Sequence, residues 1–293
     1  DIVFGDWSSD VCSSDLKFQY LFHCLKEQGI YTYLDAVTSW SAYTVGSGWR
    51  SKVSYKGRMY VDEKVRAHWR NAVGKLIGME NPYTKTRLAD DPAVAMILCY
   101  NEQELITSKL KFPDEEAAKM WQSWLLGKYG GYNALKKAWG SVAEMPPTLD
   151  KLPFRLKSIS EDSACGTDTA LFASHLETEL WKWYVKSLRE MGYSGIVTQF
   201  DWRKEFGSYP ARSLVPAVSM HTYQTEPSDY VRKNSSIRQA SSLQDVAAYW
   251  RLAAGTRYEG KPFFITEYGH VFWNKFRFEE GLWMGAYLAL QGY

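Results

Sequence analysis

Residues 93–100 read Ala-Val-Ala-Met-Ile-Leu-Cys-Tyr, an unbroken apolar and aromatic run that stops at Asn101 and Glu102. A strand with one wet face alternates apolar and polar residues. A continuous run of this length, set off by the Asp90-Asp91-Pro92 turn, predicts a strand buried on both faces, as in parallel sheets. Parallel strands need crossover connections, usually helices. The remaining sequence offers them: helical patterns over residues 16–28, 61–77, 113–139 (broken at Gly130-Gly131), 168–191, 242–258 and 278–291, and further strands at 30–35, 195–200, 214–223 and 262–266. Five strands mostly separated by helices imply an α/β fold with a parallel sheet, here as one domain with a large insertion after the second strand.

Composition narrows the function. The 293 residues carry a formal net charge of +2, which makes no demand for nucleic acid. No run approaches the ~18 apolar residues of a membrane span. Aromatics reach 16%, with 13 Trp and 20 Tyr. Their rings stack on flat apolar faces while keeping a polar edge, so the composition leans toward a carbohydrate partner. Cys12, Cys24, Cys99 and Cys165 show no CxxC spacing, and neither a disulfide framework nor a zinc site is expected. Cys99 lies in the apolar run and reads as a small core residue. His175 and Glu179 have i,i+4 spacing without a His-Glu-x-x-His pattern and read as a solvated helix pair. No metal and no cofactor is expected.

The start of the chain stands apart. Residues 6–16 read DWSSDVCSSDL, which resembles the translation of a sequencing adapter. Residues 1–16 are therefore set aside as non-native, and the natural sequence is expected to resume at Lys17.

In parallel α/β proteins, ligands bind beyond the carboxyl ends of the strands. Three strand ends carry polar clusters: Tyr100-Asn101-Glu102, His221-Thr222-Tyr223 and Glu267-Tyr268-Gly269-His270. A period of two puts Leu98, Tyr100 and Glu102 on one face. It also groups Phe263 and Ile265 with Glu267, and Ser219 and His221 with Tyr223. Two glutamates and a His-x-Tyr pair can then converge at one mouth. Glycosidic cleavage needs one protonated carboxyl to serve the leaving oxygen and one ionised carboxyl for the anomeric carbon. A tyrosine hydroxyl beside Glu267 suits the ionised role, and an apolar wall beside Glu102 the protonated one. Asp35, Gln199, Asp201 and Trp202 also fall at strand ends and are pocket-lining candidates. Trp40, Trp49 and Trp273 are loop aromatics suited to stacking on sugar. Glu104 shares the parity of Glu102 but is expected to start the next loop.

An apolar strand ending in Asn-Glu, followed downstream by one ending in Ile-Thr-Glu-Tyr-Gly, resembles the clan A glycoside hydrolases, such as the cellulase- and mannanase-like families and bacterial β-galactosidases. The stretch from Trp121 through Lys128-Tyr129-Gly130 to Ala138-Trp139-Gly140 resembles a segment of the β-galactosidase-like members. The resemblance implies a retaining β-glycosidase on a (β/α)8 TIM barrel. Glu102 would be the acid/base ending strand four, Glu267 the nucleophile ending strand seven, and Asn101 the partner of the sugar 2-hydroxyl. His221 and Tyr223 match the strand-six pair, and Gln199, Trp202, Asp35 and Trp273 join the substrate-binding set. By this matching the chain is an incomplete barrel of strands three to seven, with one, two and eight missing. It occupies residues 17–293, with the insertion at about 103–166. A poly- or oligosaccharide substrate follows from the same resemblance; the location of this chain is left open, secreted or periplasmic being the expectation for the full-length protein. The alternative is a barrel that binds carbohydrate without cleaving it.

Overall fold

A computed structural model describes residues 13–38, 55–105, 114–140, 145–202, 209–229 and 233–293. Trp40 and Trp49 lie outside these. The chain forms two compact units, Asp1–Val197 and Thr198–Tyr293, each taken by itself below. The fold is mixed α/β with small parallel sheets. Among the described residues no helix is long and apolar enough to cross a membrane.

The first unit opens with α1 (Ser13–Glu27), which begins four residues before Lys17 and buries Asp15. Next come β1 (Thr32–Asp35), the single turn α2 (Tyr55–Arg58), α3 (Glu63–Gly78) and β2 (Val94–Leu98). β1 pairs parallel with β2, Leu34 opposite Ile97 and Asp35 opposite Leu98. α3 shows why such helices form. Asp62 caps it, accepting from the backbone N–H groups of Lys64 and Val65 at 2.9 and 3.4 Å. Val65, Trp69, Val73, Leu76 and Ile77 then fall on one buried stripe. Trp69 Nε1 donates to the Cys99 carbonyl at 3.1 Å, fastening α3 to the chain just past β2. Cys99 is fully buried in the core, and burial pushes its thiol well above the usual range. At the other end of β2, Asp91 accepts from Lys26 (2.7 Å), Thr86 (3.1 Å) and the Ala93 N–H (3.0 Å).

The stretch expected as an insertion shares this core. α4 (Asp114–Tyr129) and α5 (Tyr132–Trp139) are separated by Gly130, whose φ of 71° is the left-handed stop that the Gly-Gly break predicts. With α6 (Ala164–Glu190) they pack Trp121, Leu125, Leu135, Trp139, Phe154 and Phe172 into the same cluster as Trp69 and Ile97. Asp168 on α6 is the clasp: it accepts from Tyr129 OH at 2.7 Å, Trp139 Nε1 at 2.8 Å and the Lys128 ammonium. His175 and Glu179 lie on α6 too, and Glu179 pairs at 2.8 Å with Lys182. The unit ends at β3 (Ile196–Thr198), which joins the sheet in the order β1-β2-β3.

The second unit holds the turn α7 (Tyr209–Arg212), β4 (Val218–Thr225), α8 (Ala248–Ala254), β5 (Phe263–His270) and α9 (Glu279–Gln291). β4 and β5 pair parallel. Three sequence expectations are corrected. The five described strands form a three-stranded and a two-stranded sheet, not one open sheet: β3 is short, and at Phe200 a φ of 70° takes the chain out of extended conformation. β4 begins at Val218 rather than Leu214, because Leu214 and Val215 spend their N–H groups on turn bonds to Ala211 and Arg212 and Pro216 has none to give. The helix expected over 242–258 shrinks to α8. Val246 and Ala247 both take positive φ, and the N–H groups of Ser242 and Leu243 are bound by the Glu279 carboxylate.

The clasp yields a stability prediction. Asp168→Ala leaves three donors in or near the core without their acceptor, at a cost of about 2–4 kcal/mol. Chemical denaturation should show that loss. An unchanged midpoint would mean that the α4–α5–α6 packing does not depend on the clasp.

Candidate functional site

Each unit presents a group of strand-end residues. In the first, the chain leaves β2 still paired to the extension of β1: the Ala36 N–H donates to the Leu98 carbonyl at 2.8 Å and the Asn101 N–H to the Val37 carbonyl at 2.9 Å. This brings Asp35, at the end of β1, and Asn101 to the same edge. Asn101 is buried, and Asp35 and Glu102 are half-buried. The expected two-residue alternation does not reach Glu102. The strand ends at Leu98, and Glu102 has a φ of 50°, a left-handed conformation costing a non-glycine residue about 1 kcal/mol or more. What holds it there is visible around it. The Lys56 ammonium donates to the Glu102 carbonyl at 3.3 Å. Gln103 is gripped on both sides, its amide N–H donating to the Lys56 carbonyl at 2.8 Å and its amide oxygen accepting from Tyr184 OH at 2.8 Å. Leu105 donates its N–H to Glu177 at 2.8 Å. Glu104 is fully buried, in contrast to Glu102.

In the second unit, the ends of β4 and β5 carry the other group. Val218, Ser219 and Met220 pair with Phe263, Phe264 and Ile265; then the register slips, and His221 pairs with Glu267. Thr266 is the extra residue of a β-bulge, and it corrects the facing read from the sequence. Ile265 packs with Trp250, Trp283 and Leu288 on the helix side. Tyr268 lies there as well, its ring 5.6 Å from that of Trp250. Glu267, between them, is turned to the opposite face, where His221 and Tyr223 stand. Tyr223 OH donates to Glu267 Oε2 at 2.5 Å, and His221 Nε2 lies 3.4 Å from Glu267 Oε1. His221 is fully buried and also lies 3.2 Å from the carboxylate of Asp201, itself fully buried. The His221 N–H donates to the Asp201 carbonyl at 2.5 Å. Gln199 is buried and Trp202 half-buried beside this turn. Trp273, in the loop after β5, is 45% exposed.

Some of this is out of reach of sequence reasoning. Asp201 reads as one more strand-end carboxylate, because its approach to His221 depends on the left-handed backbone at Phe200. His270 belongs elsewhere. Its Nδ1 is 3.2 Å from Glu280, its N–H donates to the same carboxylate, and its Nε2 is 3.8 Å from Glu279. Glu279 accepts from Ser241 Oγ at 2.6 Å, Ser242 Oγ at 2.7 Å and the Ser242 N–H at 2.8 Å. Gly269 fits this strap for two reasons: its φ is 130°, and a Cβ there would run into the Glu280 carboxylate. The two glutamates at the start of α9 thus hold the end of the strand that carries Glu267.

The chain matches no protein-family model and no curated protein. Among solved structures it is similar to an exo-beta-agarase at 12% identity and a TM-score of 0.48, over 84% of this chain and 31% of that one. It is also similar to the agarase AgWH50C, at 12% identity and a TM-score of 0.44, over 89% of this chain and 38% of that one. The chain spans about a third of the length of each.

The strap makes stability depend on acid. Burial pushes the Glu279 carboxyl up, but the hydrogen bonds from Ser241, Ser242 and Leu243 outweigh it and hold the group below the usual range. A carboxyl lowered on folding stabilises fully above its unfolded value, roughly 4.3. That contribution disappears as pH falls through the lower folded value. Melting followed from pH 7 to pH 3 should therefore lose stability in the acid range, and Glu279→Gln should flatten that limb. Identical acid slopes in the two proteins would refute the assignment.

Proposed function

We propose that this chain carries the catalytic glutamates of a retaining β-glycosidase that hydrolyses O-glycosidic bonds of a poly- or oligosaccharide. The scaffold would be a (β/α)8-type barrel, of which these strands are three to seven. The observation that carries the reading is Glu267 in the C-terminal half of a parallel strand, turned by a bulge toward Tyr223 OH at 2.5 Å and His221 at 3.4 Å. A nucleophilic carboxylate must be held in one orientation before it attacks. Here one oxygen is fixed by the tyrosine, and the imidazole flanks the other. Glu102 supports the second role: a half-buried carboxyl on a backbone held left-handed beside the buried Asn101.

In this mechanism Glu267 attacks the anomeric carbon while Glu102 gives its proton to the departing oxygen. Water, deprotonated by Glu102, then releases the sugar from Glu267. Retention requires the two carboxyls roughly 5–5.5 Å apart. Asn101 would bind the 2-hydroxyl, and Asp35, Gln199, Trp202 and Trp273 would contact the sugar. Trapping tests the nucleophile: a 2-fluoro glycoside with a good leaving group should label Glu267, read by peptide mass, and Glu267→Gln should abolish the label. Glu102→Gln should slow natural substrates by about 10²–10⁴-fold while sparing aryl glycosides that need little proton assistance. Labelling at another residue, or near-normal turnover in both variants on every glycoside tried, agarose oligosaccharides included, would sink the reading.

Orientation by Tyr223 has its own test. Tyr223→Phe should lower kcat about 10–100-fold with little change in KM, the loss of one aligned hydrogen bond in the transition state. An effect confined to KM would instead assign Tyr223 to plain substrate binding.

A further inference from the structure

Beside Tyr223 the second unit has an open groove of about 380 Å³, lined by Tyr223, Gln224, Thr225, Glu226 and Arg238. Its construction is specific. After β4 the chain folds back on itself at an antiparallel bridge between Pro227 and Ile237, and Ser228 donates its N–H to the Ser236 carbonyl at 2.8 Å. Glu226 and Arg238 are the next residues on either side of that bridge, so they face each other across the hairpin base. Both are exposed, and no ion pair joins them. The groove therefore offers one cation and one anion, and no net charge.

Gln224, one of the lining residues, is buried. Its Nε2 lies 3.3 Å from both the Ser241 carbonyl and the Asp245 carboxylate. Both partners are acceptors, which fixes the amide's orientation. The amide oxygen is then left buried without a hydrogen-bond partner. Such an orphaned acceptor is costly and asks for a donor. Thr225, also in the lining, is held in place by Asn274 Nδ2 at 3.0 Å.

We propose that this groove is a sugar-binding subsite next to the one at Glu267, taking an uncharged pyranose unit of an oligosaccharide. The assignment rests on the glycosidase reading above. A sugar ring brings several hydroxyls, each both donor and acceptor. One would donate to the Gln224 amide oxygen after a small side-chain adjustment, one would accept from Arg238, and one would donate to Glu226, with the ring lying along Tyr223. An anionic unit would gain at Arg238 but meet Glu226 across the hairpin base, so the pair selects neutral sugars. Tyr223, which lines the groove, also donates to Glu267, so the subsite would read the residue neighbouring the cleaved bond.

The test is calorimetric titration of the Glu267→Gln chain, which prevents turnover, with neutral β-linked tetrasaccharides (cello-, manno- and agarose-derived), the matching monosaccharides and a sulfated tetrasaccharide. Arg238→Ala should weaken the best neutral tetrasaccharide about tenfold, the loss of one charge-assisted hydrogen bond. Glu226→Gln should weaken it less, and monosaccharide affinity should not follow either change. Arg251→Ala, an exposed cation on α8, is the control and should bind as the parent does. Unchanged tetrasaccharide affinity in both Arg238→Ala and Glu226→Gln would overturn the subsite, and tighter binding of the sulfated sugar would overturn its neutral class. Arg238-dependent binding by a chain whose Glu267 is never labelled would refute the glycosidase reading and leave the subsite standing. Labelling at Glu267 with no Arg238 dependence would do the reverse.

Discussion

One extra residue in β5 decides what the second unit can do. Without the bulge at Thr266 the strict alternation of the strand would carry Glu267 to the side of Ile265, under α8 and α9, where a carboxylate would be buried against Trp250 and Trp283. With it, the apolar half of β5 still packs on the helices while Glu267 emerges among His221 and Tyr223. A bulge supplies this re-aiming at the expense of one ladder position. The β4–β5 pairing resumes beyond it, from His221–Glu267 to Tyr223–Gly269, so the correction is local.

The first unit places its acidic strand end by a different device. Nothing in β2 re-aims Glu102; the strand stops, and a left-handed residue turns the chain. The cost is offset by neighbours that bind the chain around it: Lys56 at the Glu102 carbonyl, Lys56 and Tyr184 on the Gln103 side-chain amide, and Glu177 at the Leu105 N–H. Two separate elements, α2 and α6, thus specify one turn. The carboxyl of Glu102 remains half-buried, whereas that of Glu104 is sunk in the core.

What the sequence made legible is the part that follows from period and polarity. The run ending in Asn101-Glu102, the Gly130-Gly131 break, the stripe of α3 and the polar clusters ending β4 and β5 all reflect local rules, and their residues are where those rules put them. Facing was lost wherever one residue departs from regular backbone: Thr266 at the bulge, Glu102 and Phe200 at positive φ, Val246 and Ala247 before α8. Before α8 the Glu279 carboxylate takes the Ser242 N–H, and at Glu102 Lys56 binds the carbonyl, distant partners that no local pattern encodes. The barrel geometry and the chemical roles of Glu102 and Glu267 belong to the functional proposal.

The strap between β5 and α9 has a dynamic consequence. α9 presents Leu282 and Leu290 outward, each more than four-fifths exposed. A helix with so little apolar cover sits at the low end of local opening free energies. Its first two residues, however, hold the Ser241-Ser242 turn and the His270 end of β5. Fraying from the C-terminal end of α9 leaves that grip intact, whereas opening from the N-terminal end releases the strand beneath Glu267. Amide exchange along α9 is therefore expected to be polarised, slow at the end that guards the carboxylate and fast at the other.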